Sequence, residues 1–465
     1  MAMSFVRLSK PLFPSPGSVK SLRFKVSPNH RYLMTTEGRP FYYLADTAWT
    51  LFKRLNHEEV DVYFENRVAR GFTAIQAYCL RGLKAANLYG DYPLLDRDPT
   101  KPNEAFFRNI DYIVNRANEL GLVMGIVTCV GEHVRKVGYD EQVFTESNAF
   151  AFGKFLGSRY KDNAVIWYLG GDRSPMDDFP VWTAMARGLK EGSEGRQLVS
   201  YHGHGPSAGF QGYSSSFWLH NMDWLDFNTI QSSWQWGTLC YEFVTHDYLM
   251  QPPKPTIDME FRYENHIPSA NSKQPRINAH QIREAGYWNM LAGAAGLGYG
   301  AQDIWQFFEA GNPRLSYADY SLFMKEQTAT YNWREAINYE GSYCMGLLRR
   351  LLEMRPWHQL VPDQGLIHFG QGILEDHIQS ARAADGAFAL AYTPFGHPFT
   401  VRMDRLAGAK VKAHWYDPRT GRWKFIGEYP NTGVQVFVPP YTGDQMDWAL
   451  VLDDAARNLP VADPE

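Results

Sequence analysis

Two acidic residues stand where a carboxylate could do chemistry. Asp172 follows an apolar run from Ala164 to Leu169 and a Gly-Gly pair, and Glu260 lies within the strand-like segment PTIDMEFRYE (255–264). The paired glycines permit a sharp turn that would present Asp172 beyond the end of its strand. Hydrolysis of a glycosidic bond needs one carboxyl group to protonate the leaving oxygen and a second to attack the anomeric carbon or activate water. Asp172 is therefore predicted to be the general acid/base and Glu260 the nucleophile. Because the acid must be protonated when substrate binds, we expect the barrel wall and the charge of Glu260 to raise the pKa of Asp172.

The elements that must position these carboxylates alternate along the chain between strand-like and helix-like segments. Near-continuous apolar strands separated by amphipathic helices predict a parallel sheet covered by helices. Eight such units predict an α/β fold with a closed (β/α)8 TIM barrel, whose catalytic groups come from the carboxyl ends of the strands. The predicted strands are 41–49, 72–80, 122–130, 164–172, 197–204, 226–233, 255–264 and 296–305.

The seventh predicted strand alternates apolar residues with polar ones, from Ile257 to Glu264. We expect the apolar set to face the helices and the acidic set to point into the barrel. A carboxylate there is costly to bury unless it is paired or lies in a solvated site. Asp258 is expected to lie one layer deeper with a structural role. The alternatives are that Glu260 is a buried ion-pair partner of Arg262, and that Asp172 is a helix cap or a loop residue.

Domain organisation follows from the change of pattern along the chain. After an N-terminal lead (1–24), a hairpin with its turn at Glu37-Gly38 should enter the barrel domain, predicted at 25–362. Beyond it, helix-period segments give way to short strand runs with Gly, Pro and Asn turns. This texture predicts a small antiparallel β-sandwich domain at 363–465. Because no low-complexity linker separates the two domains, we expect them to pack together and the second to serve stability.

Further polar and aromatic residues near the predicted strand ends are candidates for sugar binding. A hydroxyl acceptor beside a stacking ring is a common pairing in sugar sites, and aromatic rings combine a large apolar face with specific geometry. For some of them a structural role is an equal alternative, as a cap, a core ring or filling of the barrel interior. The candidate substrate-binding residues are Asp46, Trp49, Gln76, Tyr78, His202, His204, Gln231, Tyr263 and Trp305.

Charge and composition exclude several classes of function. The net charge is −4 and no Lys/Arg run is present, which argues against nucleic acid or an anionic membrane as partner and favours a neutral or weakly charged substrate. Four cysteines lie far apart without a CxxC spacing, so we expect buried thiols. No apolar segment resembles a membrane span or a signal peptide. A cytoplasmic location is expected for the chain as written, and a periplasmic or secreted one if a signal was removed.

Three segments carry a family resemblance. ADTAW (45–49), WYLGGD (167–172) and IDMEFRYE (257–264) resemble glycoside hydrolase family 140, whose characterised members are apiosidases that act on the pectin rhamnogalacturonan II. HWYDPRTGRW (414–423) resembles the β-sandwich that accompanies that catalytic domain and is often described as collagen-binding. The resemblance implies a (β/α)8 barrel, no cofactor, a plant cell-wall oligosaccharide or plant glycoside as substrate, and release of a terminal sugar, apiose. By motif match, Asp172 and Glu260 inherit the roles of acid/base and nucleophile.

Two other classes of function compete with this interpretation. His202 and His204, with Asp172 and Glu260, could instead be ligands in a metal-dependent barrel hydrolase. Amidohydrolase-type barrels, however, carry their HxH motif on the first strand, where this sequence offers Asp46 and no histidine. The chain could also be a non-catalytic carbohydrate-binding or adhesion protein, but such a barrel would normally have lost one of the two carboxylates. We therefore predict a glycosidase that uses no catalytic metal.

Overall fold

The computed structural model describes residues 3–135, 141–205, 214–232, 237–268, 275–312 and 329–464. In these ranges the strands are β1 (Phe24–Val26), β2 (Leu33–Thr35), β3 (Tyr43–Thr47), β4 (Ala74–Leu80), β5 (Val123–Cys129), β6 (Val165–Leu169), β7 (Val199–Tyr201), β8 (Asn228–Ile230), β9 (Thr256–Asp258), β10 (Tyr263–Glu264), β11 (Gly296–Ala301), β12 (Leu360–Pro362), β13 (Ile367–Phe369), β14 (Gln379–Ala383), β15 (Phe388–Thr393), β16 (Phe399–Arg402), β17 (Lys410–Tyr416), β18 (Trp423–Pro430), β19 (Val434–Phe437) and β20 (Trp448–Asp454). The α-helices are α1 (Leu51–Arg54), α2 (His57–Ala69), α3 (Glu104–Glu119), α4 (Glu146–Tyr160), α5 (Phe179–Gly192), α6 (Ser216–Leu219), α7 (Cys240–Leu249), α8 (Ala279–Leu291), α9 (Trp333–Ala336) and α10 (Glu340–Glu353).

Eight parallel strands form the barrel. Their order is β7-β6-β5-β4-β3-β11-β9-β8, and the short β10 adds to β11. The ring closes between β7 and β8, where the Asp226 backbone N–H donates to Val199 O at 3.0 Å and Ser200 Oγ donates to Phe227 O at 2.6 Å. The eight predicted strands are confirmed, each shorter than predicted, and the seventh is interrupted between β9 and β10. The predicted TIM barrel is confirmed as well.

Side chains alternate between the barrel interior and the surrounding helices. Tyr43, Tyr168 and Ile257 belong to the cluster of buried residues inside the barrel, whereas Leu44 and Trp167 belong to the larger cluster between strands and helices. Both faces of these strands are buried, as expected for a parallel sheet covered by helices. A polar residue on the outer face therefore needs a partner on a helix.

Helices α4 and α5 pack with their backbones in direct contact. A Cβ atom added at Gly153 or Gly157 of α4 would lie 2.3–2.4 Å from a carbonyl oxygen of α5, and one added at Gly188 or Gly192 of α5 would lie 2.2–2.3 Å from a carbonyl oxygen of α4. These distances are shorter than any real Cβ contact, so only glycine fits at the four positions. The two helices flank β6, since α4 precedes it and α5 follows the loop after it.

The chain enters and leaves the barrel much as its sequence predicts. The Gly38 N–H donates to Thr35 O at 2.9 Å, and Gly38 has φ +95°, so the predicted hairpin turn is present. Two helices, α9 and α10, follow the last barrel strand and precede the C-terminal domain. Among the described residues, no helix is both long enough and apolar enough to cross a membrane. All four cysteines are buried free thiols, as predicted.

The C-terminal part is a β-sandwich, as predicted. One sheet has the order β12-β14-β15-β20-β17-β18 and the other β13-β16-β19, and buried residues of both sheets form a core between them. Strand β12 pairs antiparallel with β14 although it precedes residue 363, the predicted start of this domain.

Helix α8 joins the sandwich to the barrel, and all of its residues are buried. Arg283 of α8 forms a bidentate pair with Asp447, with both N···O distances 2.8 Å. The ring of Tyr287 stacks on Tyr392 with centroids 4.5 Å apart, and Trp288 Nε1 donates to His377 O at 2.9 Å. The expected packing of the two domains is therefore present.

Candidate active site

The loop after β6 carries Asp172 to the mouth of the barrel. Gly170, Gly171 and Asp172 have φ values of +94°, +54° and +63°, a left-handed run that glycine adopts without strain and aspartate tolerates. A Cβ at Gly170 would lie 2.2 Å from His202 O, and one at Gly171 would lie 2.2 Å from Cys129 O. The two glycines thus allow the chain to turn within the rim of neighbouring strands. The Asp172 side chain remains 34% exposed.

Glu260 lies at the site because the chain bends after β9, whereas the prediction assumes a regular strand through Glu264. Strand β9 ends at Asp258, and beyond it the regular alternation stops. Ile257 and Met259 lie in the interior cluster. Asp258 instead bonds to Asn289 of α8 at 2.9 Å. The prediction that the apolar set faces the helices and the acidic set faces the interior is therefore wrong, because the side chains before the bend have the opposite orientation.

The surroundings of Asp258 and Glu260 differ, and they indicate a structural role for Asp258 and a place in the site for Glu260. Burial raises the pKa of Asp258 to about 7, and hydrogen bonds from Ser232 and Asn289 oppose that rise. Arg262 pairs with Glu284 of α8, not with Glu260. The alternative in which Glu260 is the ion-pair partner of Arg262 is thereby removed. Glu260 instead has a side chain that is 5% exposed and contacts His202.

His202, which follows β7, lies between the two carboxylates. Its side chain is fully buried, and Nε2 lies 2.8 Å from Glu260 Oε2. Its Nδ1 lies 3.5 Å from Asp172 Oδ1 and 3.3 Å from the Asp172 backbone N. The three side chains form a row in which the imidazole contacts both acids. Both ring nitrogens of His202 face the two carboxylates, and direct sugar binding by His202 stays a prediction.

The electrostatics of Asp172 differ from expectation. Burial acts to raise the pKa of Asp172, but the positive charges of His202, Arg81 and Arg173 outweigh it, so the pKa is lowered. The mechanism predicted from sequence needed a raised pKa at this acid, with the charge of Glu260 as a cause. That expectation is wrong for the free protein, because the imidazole lies between the two carboxylates.

Two neutral donors complete the surroundings of Asp172. The Tyr78 hydroxyl lies 3.2 Å from Oδ2, and Gln231 Nε2 donates to Oδ1 at 3.0 Å. Burial, followed by the charge of Asp172, raises the pKa of Tyr78, which keeps its hydroxyl protonated as a donor. Hydrogen bonds to a carboxylate favour its ionised form. Both residues were predicted at the site, and the structure brings them to the acid/base.

An aromatic wall adjoins Glu260 and His202. Trp49 Nε1 donates to the Tyr263 hydroxyl at 2.7 Å, and the Trp49 ring meets the His202 ring edge to face with centroids 5.4 Å apart. Burial, followed by the charge of Glu260, raises the pKa of Tyr263. Trp49 and Tyr263 therefore lie beside the predicted nucleophile, as the sequence suggested. Their contact with a sugar stays a prediction.

Two predicted sugar-binding residues lie away from the mouth. Asp46 is fully buried on the outer face of β3, where its Oδ2 accepts from Tyr63 at 2.6 Å and from Arg67 at 3.2 Å, both on α2. Gln76 is fully buried inside the barrel and donates to Met259 O at 2.9 Å. For both residues the geometry corrects the predicted sugar contact to the structural alternative, because their polar groups are engaged below the site.

Trp305 and His204 lie at the rim. Trp305 is 3% exposed, and the Arg81 guanidinium lies 5.5 Å from its ring centroid. His204 is partly exposed, and its charge contributes to the lowered pKa of Asp172. Sugar binding by these two residues stays a prediction.

Sequence reasoning missed three charged residues beside Asp172. Arg81 lies over the Tyr78 ring at 4.9 Å, Arg173 pairs with Glu132 at 2.5 Å, and Arg173 Nη1 also donates to Asp172 O at 2.7 Å. Each follows the end of a barrel strand or its turn. A search of strand ends for all charged residues, and not for carboxylates alone, would have found them.

The row of three side chains also bears on the metal alternative. Asp172, His202 and Glu260 each offer a ligand atom, all within 4.8 Å of one another. Two atoms that bind one zinc ion at ~2.1 Å in a tetrahedron lie roughly 3.4 Å apart. The 2.8 Å between His202 Nε2 and Glu260 Oε2 is shorter and is a hydrogen-bond distance. His204, the second histidine of that alternative, is not in the group.

Family models match both parts of the chain. The family model described as "Apiosidase-like, catalytic domain" matches residues 27–359, which span the barrel with both carboxylates. The chain belongs to the apiosidase-like family. A second model, described as "Putative collagen-binding domain of a collagenase", matches residues 361–453 of this apiosidase-like protein. No match is found among curated proteins.

Solved structures share the whole architecture. A glycoside hydrolase family 5 structure from Bacteroides vulgatus is 28% identical over 96% of each chain, with a TM-score of 0.86. A structure named only "Glycoside hydrolase" is also 28% identical, covers 96% of this chain and 100% of its own, and has a TM-score of 0.86. Another Bacteroides vulgatus structure, 14% identical with a TM-score of 0.68, shares the fold and covers 95% of this chain and 84% of its own. The apiosidase-like chain is thus a glycoside hydrolase.

Proposed function

We propose that this glycoside hydrolase releases a terminal sugar, apiose, with retention of anomeric configuration. Asp172 acts as the general acid/base and Glu260 as the nucleophile. The natural substrate is an apiose-bearing plant polymer, the pectin rhamnogalacturonan II, or an apiosylated plant glycoside. The family match supports the sugar, since the matching model is described as apiosidase-like. The site geometry supports the mechanism.

One observation carries the retaining mechanism. An oxygen of Asp172 and an oxygen of Glu260 lie within 4.8 Å of each other. Retaining glycosidases hold their two carboxyl groups ~5–5.5 Å apart, whereas inverting enzymes need ~6.5–9.5 Å to admit a water between the second carboxylate and the sugar. Because the nearest oxygens of Asp172 and Glu260 lie within 4.8 Å, the geometry supports the retaining arrangement and direct attack by a carboxylate.

The reaction then takes two displacements. In the first, Glu260 attacks the anomeric carbon while Asp172 gives its proton to the glycosidic oxygen, and the aglycone leaves. In the second, the Asp172 carboxylate takes a proton from a water that attacks the same carbon and releases Glu260. Two inversions at one carbon restore the original configuration.

The decisive experiment follows both the released sugar and its configuration. Pectic oligosaccharides and apiosylated glycosides are incubated with the full chain, the monosaccharide is identified, and NMR records the anomer formed first. We expect apiose in the substrate's configuration. A first-formed sugar of opposite configuration would make Glu260 the base for an attacking water. Release of another sugar, with none from apiosides, would overturn the substrate. Glu260→Gln is the control for contaminating activity.

A further inference from the structure

The buried position of His202 raises a question about the proton that Asp172 must deliver. Of the three side chains in the row, only Asp172 has appreciable exposure, 34%, against 5% for Glu260 and none for His202. The lowered pKa of Asp172 means that the free protein holds this carboxyl ionised. A general acid must nevertheless be protonated when the glycosidic bond breaks. A group beside Asp172 that holds this proton in the free protein would supply it when substrate binds.

The geometry around Nδ1 of His202 suits both a protonated and a neutral ring. When Nδ1 carries a proton, it faces Asp172 Oδ1 at 3.5 Å. When Nδ1 is unprotonated, it can accept from the Asp172 backbone N–H at 3.3 Å. In both states the Nε2–H donates to Glu260 Oε2 at 2.8 Å. The ring can thus gain or lose one proton while both nitrogens keep a partner.

We propose that His202 is a positioning residue that stores the proton for Asp172 and holds Glu260 through its other nitrogen. This inference rests on the proposed two-carboxylate reaction. In the free enzyme the imidazole is charged and both carboxylates are ionised. When substrate covers Asp172, the Nδ1 proton passes to Asp172 Oδ1, and the ring becomes neutral with Nε2–H still on Glu260.

Proton balance closes over one turnover. Asp172 passes the stored proton to the glycosidic oxygen as the aglycone leaves, and it is ionised again. In the second displacement it takes a proton from the attacking water and returns it to His202 Nδ1. The sugar receives the hydroxyl of that water and the aglycone receives a proton, so no further reactant is needed.

Desolvation supplies the reason for the transfer. Covering the exposed part of Asp172 with a neutral sugar removes water that stabilises its charge, and this raises its pKa. His202 is already fully buried, so its own hydration changes little. The balance between the two groups therefore shifts toward a protonated Asp172 and a neutral imidazole as substrate binds.

The charged neighbours agree with a charged imidazole in the free enzyme. Burial acts to lower the pKa of His202, but the hydrogen bond to Glu260 and the charge of Asp172 raise it above its ordinary range. Arg81, Arg173 and His204 also lower the pKa of Asp172 and favour its ionised form. Among the described residues, the other groups around the row are Glu132, paired with Arg173, and the neutral hydroxyls of Tyr78 and Tyr263.

The first test reads the imidazole directly and needs no substrate. Full-length protein with 15N-labelled histidine is titrated and followed by NMR. The His202 signals are assigned by their loss in His202→Gln. If His202→Gln does not fold, they are assigned by their shift in both Asp172→Asn and Glu260→Gln. We expect His202 to titrate above about 6.5, and Asp172→Asn to lower that value by about one pH unit or more because it removes a facing charge. A ring that stays neutral down to pH 5.5 overturns the proposal.

The second test reads the same proton in turnover. In the wild type, the alkaline limb of kcat/KM should follow loss of the shared proton, whose pKa His202 keeps above about 6.5. His202→Gln has no imidazole, so the shared proton must reside on a carboxyl group. The pKa that sets the alkaline limb of kcat/KM should therefore fall by about one pH unit or more. An unchanged limb with a lower plateau would mean a purely structural role and overturn the proposal. His220→Gln is the control, since this buried histidine bonds to Asn228 and Pro252 away from the site.

The two tests separate this inference from the proposed function. If no glycoside is cleaved, the NMR titration still decides where the proton resides. If apiose is released with retention but His202 proves neutral, the function stands and the storage of the proton on His202 is wrong.

Discussion

Replacing Asp447 by leucine should destabilise the whole protein, because it removes the bidentate partner of the buried Arg283 and leaves Glu340, 3.2 Å from Nη1, as the remaining carboxylate beside that charge. The side chains of Asp447 and Arg283 are 0% and 2% exposed and share two hydrogen bonds of 2.8 Å. Breaking a buried pair by removing one member costs ~3–5 kcal/mol. The Tyr392 hydroxyl also donates to Asp447 at 3.0 Å, and loss of that acceptor adds ~1 kcal/mol.

Urea unfolding followed by tryptophan fluorescence measures this cost. The double variant Arg283→Met/Asp447→Leu should recover most of the loss, since replacing a whole buried pair by apolar groups is often neutral or stabilising by ~1–4 kcal/mol. Glu191→Gln is the matched surface control: its pair with Lys154 is 54% and 52% exposed and should contribute no more than ~1 kcal/mol. If Asp447→Leu lowered the free energy of unfolding by no more than Glu191→Gln does, the Arg283–Asp447 pair would not stabilise the contact between the two domains.

The same pair predicts a pH dependence of stability. Burial acts to raise the pKa of Asp447, but Arg283 lowers it overall. A carboxyl whose folded pKa is depressed contributes stability that is fully present above its unfolded pKa of ~3.9 and is lost as pH falls through the lower folded value. Wild-type stability should therefore fall below about pH 4 by more than that of the double variant. Equal acid dependence of the two proteins would argue against the pairing.

Three further outcomes are expected at the site. Asp172→Ala should form the glycosyl-enzyme at near wild-type rate from a substrate with a good leaving group, then stall, since general acid–base help is worth ~10²–10⁴-fold; a slow first step with an activated substrate, read by burst kinetics, would contradict the assignment. Glu260→Ala should lose essentially all turnover, and azide should restore some by filling the vacated space; wild-type-like product formation would remove Glu260 as nucleophile. Dialysis against EDTA should leave turnover unchanged, and a loss reversed by added metal would return the metal alternative.

The sequence predicts the fold well because the barrel strands are buried on both faces. Such strands carry unbroken apolar runs, which are visible without an alignment. Because both faces of these strands are buried, the sequence does not show which face points into the barrel. Asp46 ends an apolar run like a site residue, yet its neighbours on the outer face place it against Arg67 of α2.

The candidate carboxylates could be predicted, but their environment could not. The glycine pair before Asp172 is a local signal, and it places the acid correctly. The prediction of Glu260 depends on an alternation of apolar and polar residues that ends at Asp258, so the bend removes the reason for that prediction. The role of His202 depends on three separate strand ends meeting within 4.8 Å, and no spacing along the chain encodes that meeting.

The glycine contacts between α4 and α5, on the outside of the barrel, constrain the positions of the strands inside it. Helix α4 leads into β6, whose following loop carries Asp172, and α5 leads into β7, which is followed by His202. Because their backbones touch, with no side chain between them to adjust, the two strands inherit a fixed spacing from behind. A Cβ added at Gly157 would lie 2.4 Å from Leu189 O, so the two helices would have to shift. Residues that no substrate contacts therefore constrain the strands that carry the site.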